Sequence, residues 1–228
     1  MALRLILIHT QAWFNQWAFT PPNPSVGKGV SRYYPDQPYL LQIAPLVAKL
    51  HQRAVWVNTM FETLFYLFSL WTPGSSGSPV CLGGHPDIRL TFWFCIGWIM
   101  VILGACIRLS CFKALGDLFT FDLTVNTKHR LVTDGFYSRV RHPAYTGSLM
   151  ITLGLVLTTM SRHNWATECG PLMVPLSGPV FGATWFMYTL AVGLNRVVAE
   201  DAQLRKMFPE EWAVWANTVH WWFLPGVL

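Results

Sequence analysis

The feature that most constrains this chain is a series of long stretches without a charged residue. Residues 90–107 and 144–161 form two such stretches of 18 residues each, and residues 169–195 form a third of 27. A helix needs about 20 apolar residues to cross a bilayer, so each stretch predicts a membrane span. Prolines early in the third stretch favour a span that starts near Pro175.

Two further stretches predict membrane helices less directly. Residues 54–71 carry Glu62 in the middle of an apolar run, and an isolated carboxylate is costly in hydrocarbon. We therefore expect Glu62 to face the interior of the bundle or to be protonated; the alternative is an interfacial helix with Glu62 among the lipid headgroups. Residues 3–19 contain several polar side chains and are followed by the helix-breaking run 20–24, so they predict a short first membrane helix.

The composition supports a membrane protein. Charged residues make up 12% of the chain and hydrophobic residues 53%, whereas soluble domains have about 25% charged residues. This argues against a soluble enzyme, a disordered chain and a nucleic-acid-binding protein. Lys and Arg outnumber Asp and Glu by 16 to 11, an excess that the positive-inside bias explains. The 5 cysteines form no CxxC pair, so we expect reduced, mostly membrane-buried thiols, with neither a zinc site nor a disulfide framework.

The distribution of basic residues predicts the orientation of the chain. Basic residues are frequent in segments 27–53 and 108–142 and in the tail from Arg196 onward. Among the 16 basic residues, only Arg89 and Arg162 are assigned to the opposite side. The long basic loop and the tail therefore face the cytosol together, where they can build one site. No linker divides the chain, which is interpreted as one all-α integral membrane domain over its whole length.

The most informative motif lies in residues 128–147, KHRLVTDGFYSRVRHPAYTG. Pro143 suits the first turn of the following helix, because its missing N–H is not needed there. Gly135 permits a tight turn. Backbone donors at the start of this helix, with Arg141 and His142 beside them, favour an anionic group. The alternative is that the basic residues only anchor the topology.

The tail after the last predicted span carries two patterns. Arg196 and Glu200 are spaced i, i+4, and the same spacing separates Asp201 from Arg205. The simplest interpretation is two ion pairs on a helix surface, worth about 0.3–0.5 kcal/mol each. Further on, helical spacing brings four residues to one face: Trp212, Trp215, Val219 and Trp222. Such a face is typical of an amphipathic interfacial helix, but the wall of an active site would use the same residues.

The loop and the tail together resemble the isoprenylcysteine carboxyl methyltransferase family. Its pattern is roughly His-x-Leu-x-Thr-x-Gly-x-Tyr, then Arg-His-Pro-x-Tyr-x-Gly, then Arg-x-x-x-Glu-Glu and an aromatic helix. The matching residues are His129, Leu131, Thr133, Gly135, Tyr137, Arg141, His142, Pro143, Tyr145, Gly147, Arg196, Glu200, Phe208 and Trp212. Asp201, Pro209 and Trp215 depart from the pattern. The resemblance implies a methyltransferase-like core over residues 88–228, preceded in residues 1–53 by a helix, a proline-rich loop and an interfacial segment.

The resemblance implies methyl transfer from S-adenosylmethionine to the carboxylate of a C-terminal isoprenylated cysteine. Arg196 would bind the substrate carboxylate. The cofactor would be bound by His129, Arg130, Leu131, Val132, Tyr137, His142, Pro143, Ala144, Tyr145 and Glu200. Because a carboxylate is already ionised at neutral pH, the reaction needs positioning and no general base. The resemblance also implies an endoplasmic reticulum membrane protein with a cytosolic site, no metal, and prenylated protein ends or prenylcysteine-like lipids as partners.

Three other functions remain open from the sequence. One is a related membrane methyltransferase that acts on another lipid or on an amine, although an amine gains nothing from a carboxylate-binding arginine at position 196. Another is an NADPH-dependent sterol or lipid reductase, which would share a similar His-Pro-x-Tyr-x-Gly stretch. The adjacent acidic residues Glu200 and Asp201 favour the methyltransferase over the reductase. The last is a non-catalytic membrane scaffold.

Overall fold

A computed structural model describes residues 2–23, 43–71, 78–81, 86–119 and 130–226, which form helices and connecting loops and contain no strand. The helices are α1 (Ala2–Phe19), α2 (Ala44–Trp71), α3 (Phe92–Leu115), α4 (Pro143–Thr159), α5 (Trp165–Glu168), α6 (Ser177–Met207) and α7 (Pro209–Thr218). Two 3-10 turns lie at Gly116–Leu118 and Gly135–Ser138. The all-α prediction is thus confirmed for these residues. His129, most of the proline-rich loop and part of the basic segments lie outside the described residues.

Every predicted apolar stretch contains a long helix. α4 begins at Pro143, as the motif predicts, and α6 begins at Ser177, close to the expected Pro175. α3 with the turn after it, Phe92–Leu118, is the one helix in the described part of the chain that is long and apolar enough to cross a membrane. α4, with 17 residues, falls short of the about 20 that a bilayer requires. Which of the five predicted stretches cross the membrane, and in which orientation, therefore stays a prediction.

α3 and α4 form an antiparallel pair whose backbones nearly touch. Gly97 lies against Gly154, and Gly104 lies against Gly147. A Cβ atom added to Gly104 would lie 2.7 Å from the carbonyl oxygen of Gly147, too close for any side chain. Small residues at this spacing let membrane helices approach closely. The contact fixes the start of α4, where the motif loop ends, against the last turns of α3.

A buried ion pair joins α1 to α2 at the end of the bundle opposite the motif loop. The Arg4 guanidinium contacts the Glu62 carboxylate and the Asn164 side chain, and it donates to the Arg89 carbonyl at 2.7 Å. Glu62 is buried, so it faces the interior as expected and does not lie among headgroups. Arg4 lies at the same end as Arg89, so the assignment of only Arg89 and Arg162 to that side is wrong.

Cys81 and Cys169 form a disulfide at this far end, so the expectation of reduced cysteines is wrong for these two. The pair spans a sequence separation of 88 residues, and nothing in the spacing of the cysteines indicates it. Folding brings the two segments together: Trp165 Nε1 donates to the Val80 carbonyl at 2.9 Å. The other cysteines, Cys95, Cys106 and Cys111, are free thiols.

Candidate active site

A cavity of about 620 Å³ lies between the motif loop and the helices of the bundle, a volume suited to a small-molecule ligand. The residues assigned to the cofactor that line it are Arg130, Leu131, Val132, Tyr137, His142, Ala144, Tyr145 and Glu200. Arg196 lines it as well. Pro143 does not line the cavity and instead begins α4. The fold thus brings most of the proposed site residues to one place.

The Tyr145 hydroxyl lies between Arg196 and Glu200. It donates to Glu200 Oε1 at 2.5 Å and accepts from Arg196 Nε at 3.1 Å. The i, i+4 spacing does put Arg196 and Glu200 on one face of α6, but that face is turned into the cavity, so the interpretation as a surface ion pair is wrong. Tyr145, on α4, therefore ties the two α6 residues to the start of the motif helix.

Asp201 holds the motif loop against α6. Its Oδ2 accepts from Arg141 Nη1 at 2.9 Å, and its Oδ1 lies 2.9 Å from His142 Nε2. The expected pairing with Arg205 is replaced, because the Asp201 carboxylate points into the protein. The Arg205 guanidinium lies instead over the Trp212 ring, 5.7 Å from its centroid. Asp201, which departs from the family pattern, is thus an organising residue of the site.

The charges of His142 and Glu200 support each other, with His142 Nδ1 3.5 Å from Glu200 Oε2. Burial opposes the charged imidazole, but hydrogen bonds with Asp201 and Glu200 outweigh burial and raise the pKa of His142. Burial also opposes the charged carboxylate, but contacts with His142, Arg196 and Tyr145 outweigh it and lower the pKa of Glu200. Glu200 is therefore an ionised carboxylate at neutral pH, placed at the wall of the cavity.

The C-terminal tail runs along the motif loop. The backbone N–H groups of Arg141 and His142 donate to the carbonyls of Trp221 and Trp222 at 2.8 Å and 2.9 Å. Because α7 ends at Thr218, the predicted helical face does not extend to Val219 and Trp222. These residues belong to the extended tail.

Trp215 gives α7 a role in the cavity wall. Its Nε1 donates to the Tyr137 carbonyl at 3.0 Å, and its ring packs in a buried cluster with Val132 and Tyr137. Trp215 also lines the cavity. On this side of α7 Trp215 therefore forms part of the cavity wall, whereas Val214 on the other side is exposed.

The opposite wall consists of residues that no motif identifies. α1 contributes Gln16 and Phe19, α2 contributes His51, and α6 contributes Trp185 and Val192. Polar residues within the otherwise apolar α1 are the one signal of this role in the sequence, and taken alone they only weaken the prediction of a span.

Arg108, on α3, connects the two walls. It is buried and donates to the carbonyls of Ala18 and Ala144 at 2.7 Å and 3.1 Å. Its guanidinium lies over the rings of Phe19 and Phe112. These contacts hold the end of α1 against the first turn of α4.

Comparisons with known proteins agree with the motifs. The model of the phospholipid methyltransferase family matches residues 92–175, which include α3, the motif loop and α4. The probable protein-S-isoprenylcysteine O-methyltransferase of Oryza sativa subsp. indica is 29% identical over 139 residues, 59% of this chain and 63% of that protein. No solved structure matches this chain.

Two further relatives carry the same name. Protein-S-isoprenylcysteine O-methyltransferase B of Arabidopsis thaliana is 24% identical over 137 residues, 59% of this chain and 61% of the relative. The Homo sapiens protein-S-isoprenylcysteine O-methyltransferase is 25% identical over 138 residues, 59% and 42% of the two chains. The matched region thus spans less than two thirds of each relative. These matches confirm the resemblance drawn from the motifs: the chain is a distant relative of the isoprenylcysteine carboxyl methyltransferase family.

Proposed function

We propose that this protein transfers a methyl group from S-adenosylmethionine to the carboxylate of an isoprenylated cysteine at a membrane surface. The observation that carries the proposal is the convergence of Arg196, Tyr145 and Glu200 on one cavity that the motif loop also lines. The names of the relatives support the acceptor class.

The cofactor side of the cavity suits a cation with polar groups. S-adenosylmethionine, when bound, supplies an electrophilic methyl group on a sulfonium. The ionised Glu200 carboxylate provides a negative charge and an acceptor, and apolar side chains such as Leu131, Val132 and Trp215 line the wall around it. A charge at the wall of a cavity partly shielded from water interacts more strongly than one on an open surface.

The acceptor side requires a group that binds a carboxylate, and Arg196 supplies a guanidinium with the planar fork that suits it. The Tyr145 hydroxyl holds the guanidinium at Nε and so fixes its orientation. Since the acceptor is already an anion, the protein has to align the two reactants and to move no proton. Arg196 is thus the residue that binds substrate, and Tyr145 separates it from the cofactor residue Glu200.

The site faces the cytosol of an endoplasmic reticulum membrane in this proposal. Disulfides persist in oxidising compartments and are rare in the cytosol, and Cys81–Cys169 lies at the end of the bundle opposite the site. The test is maleimide labelling of a Ser138→Cys variant in sealed vesicles, with the three free cysteines replaced by alanine. In vesicles with the cytosolic face outward, labelling that occurs only after the membrane is permeabilised would reject this orientation.

The division of labour between Arg196 and Glu200 is testable by calorimetric cofactor titration and initial methylation rates. Arg196→Ala should lower the methylation rate by about 100-fold or more while retaining cofactor binding, since one preorganised donor contributes on that scale. Arg196→Lys should recover little, because a point charge lacks the fork. Glu200→Gln should lower the affinity for the cofactor itself.

Arg205→Ala is the matched control, because it removes an exposed arginine from the same helix. It should change neither cofactor affinity nor rate. Normal rates in both Arg196 variants would reject the proposed function, and equal loss of cofactor binding at positions 196 and 200 would reject the separate roles.

A second acceptor class is favoured by one observation, the match to the phospholipid methyltransferase family. Such an acceptor would use the same cofactor wall and a different headgroup. Phospholipid headgroup amines are therefore included in the rate assay. A higher methylation rate with these amines than with a prenylcysteine would mean that the acceptor is an amine and not a carboxylate.

A further inference from the structure

We propose that the Tyr145 hydroxyl is a spacer that keeps Arg196 and Glu200 from closing into a direct ion pair. This inference rests on the proposed function, in which Arg196 binds the acceptor carboxylate and Glu200 binds the cationic cofactor. It adds a positioning role for Tyr145 and a rule for how the two ligands influence each other's binding.

The positions of the two charged residues favour a direct ion pair. Arg196 and Glu200 are four residues apart on α6, and side chains at this spacing are neighbours on a helix surface. At the wall of a partly shielded cavity, the attraction between their charges is stronger than it would be in open water. Helix geometry alone therefore predicts a closed pair, in which each charge would be occupied by the other.

A hydroxyl group lies between the two charges instead. The Tyr145 hydroxyl donates to Glu200 Oε1 at 2.5 Å and accepts from Arg196 Nε at 3.1 Å. The other Glu200 oxygen, Oε2, lies 3.5 Å from His142 Nδ1, which holds the carboxylate on the side of the motif loop. Because the hydroxyl engages Arg196 at Nε, this contact does not use the two terminal nitrogens of the guanidinium, which suit a bidentate carboxylate.

The ring of Tyr145 is held so that its hydroxyl keeps this position. A Cβ atom added to Gly193 would lie 3.7 Å from Tyr145 Cδ1, so the ring lies close to the backbone of α6. The rings of His142 and Phe223 lie beside it, with centroids 6.1 Å and 6.4 Å from that of Tyr145. Phe223 is buried, and its carbonyl accepts from Thr146 Oγ1 at 2.7 Å. The phenol is therefore fixed by contacts with α6, the motif loop and the tail.

A spacer changes how the two ligands depend on each other. In a closed pair, the first ligand has to separate the charges before it binds, and the second ligand then finds its charge already released. Two ligands at a closed pair would therefore bind cooperatively, beyond any direct attraction between them. With the pair held open, each ligand meets a charge that is positioned beforehand. Removing the hydroxyl should thus weaken each ligand alone and make each depend on the other.

The test uses two ligands that do not react with each other. One is sinefungin, a cationic cofactor analogue with an amine in place of the methyl sulfonium, and the other is N-acetyl-S-farnesylcysteine. Each is titrated calorimetrically into the full chain in lipid nanodiscs, alone and with the other at saturation. In Tyr145→Phe, which keeps the ring, the dissociation constant of each ligand alone should rise about tenfold. With the other ligand present, it should return to within about twofold of the unmodified protein.

Tyr188→Phe is the matched control, because Tyr188 also lines the cavity but precedes Arg196 by two turns of α6. It should create no new dependence between the ligands. The double variant Tyr145→Phe/Glu200→Gln lacks the carboxylate that closes the pair, so it should bind N-acetyl-S-farnesylcysteine at least as tightly as the unmodified protein. A loss of affinity in Tyr145→Phe that neither the second ligand nor Glu200→Gln restores would overturn the spacer, because Tyr145 would then simply contact a ligand.

A measurement without ligands separates failure of the spacer from failure of the proposed function. A double-mutant cycle of Arg196→Gln and Glu200→Gln on the thermal unfolding midpoint reports the coupling between the two side chains. This coupling should increase when the cycle is repeated in the Tyr145→Phe protein, because the pair then closes. If it increases but no acceptor is bound or methylated, the proposed function fails and the spacer stands. If it does not increase, the spacer is rejected whatever the activity.

Discussion

Two buried polar clusters lie at opposite ends of the bundle and use similar groups for different purposes. The far-end cluster consists of Arg4, Glu62 and Asn164, and the site cluster consists of Arg141, His142, Tyr145, Arg196, Glu200 and Asp201. Each contains an arginine and a carboxylate. None of the far-end residues lines the large cavity, whereas most of the site cluster does.

The difference lies in access rather than in residue type. The Glu62 side chain is 3% exposed and that of Glu200 is 26% exposed. An enclosed ion pair can only hold the helices together, whereas a carboxylate at a cavity wall can also bind a ligand. Buried charges in this protein therefore have two roles, which substitutions should separate.

The largest expected effect comes from breaking the far-end cluster. Glu62→Leu leaves the Arg4 charge buried without its carboxylate, so the free energy of unfolding should fall by about 3–5 kcal/mol. The measurement is thermal or denaturant unfolding in detergent. Cofactor affinity of the folded fraction should be unchanged.

The double variant Arg4→Leu/Glu62→Leu is the control for this prediction. It removes both charges, and most of the lost stability should return. A single Glu62→Leu variant that unfolds like the unmodified protein would show that the far-end cluster does not hold α1 to α2.

A smaller, pH-dependent effect is expected from the site cluster. The raised pKa of His142 adds stability that is full below its ordinary value of 6.5 and is lost as pH rises through the folded-state pKa. The lowered pKa of Glu200 adds stability that is full above its ordinary value of 4.5 and is lost as pH falls through the folded-state pKa. The combined contribution should therefore be greatest between these two ordinary values.

The measurement is the unfolding midpoint as a function of pH. Asp201→Asn removes one of the two carboxylates that raise the pKa of His142, so the decline of stability toward higher pH should shrink. His142→Asn lacks the titrating group and should lose this part of the decline altogether. An unchanged profile in both variants would show that the His142 contacts do not contribute to stability.

The smallest effect is expected at an exposed pair at the far end. Arg89 Nε lies 3.5 Å from Asp87 Oδ2, with the two side chains 62% and 57% exposed. Asp87→Ala should therefore cost less than about 1 kcal/mol in unfolding free energy. A loss as large as that from Glu62→Leu would mean that burial does not separate the two kinds of pair.

The sequence predicts the positions of the helices, the residues of the motif loop that line the cavity and the interior position of Glu62, but not which residues pair at the far end. Uncharged runs locate α3, α4 and α6 because helix length and apolar composition are local properties. The spacing of Arg196 and Glu200 likewise predicts a shared helix face. The partners of Asp201 and of Cys169 depend on long-range packing, so spacing suggests the wrong partner for Asp201 and none for Cys169.

The cavity wall formed by α1 and α2 is not predicted from the sequence, for a related reason. His51 and Asn15 lie 36 positions apart and belong to no motif, and they meet only when the two helices pack. In contrast, His142 and Tyr145 lie within one short motif that directly precedes or begins α4. A site assembled from one loop and one tail is therefore easier to find in a sequence than a wall assembled from separate helices.

The glycine contact between Gly104 and Gly147 has a mechanical consequence for the site. Gly147 is two positions beyond Tyr145, and a methyl group there would meet the Gly104 carbonyl and the Arg108 side chain. An added side-chain atom would therefore push the first turn of α4 away from α3. Because Tyr145 belongs to that turn, its hydroxyl would move from its place between Arg196 and Glu200. The alignment of the reactive groups thus depends on a contact between two glycines.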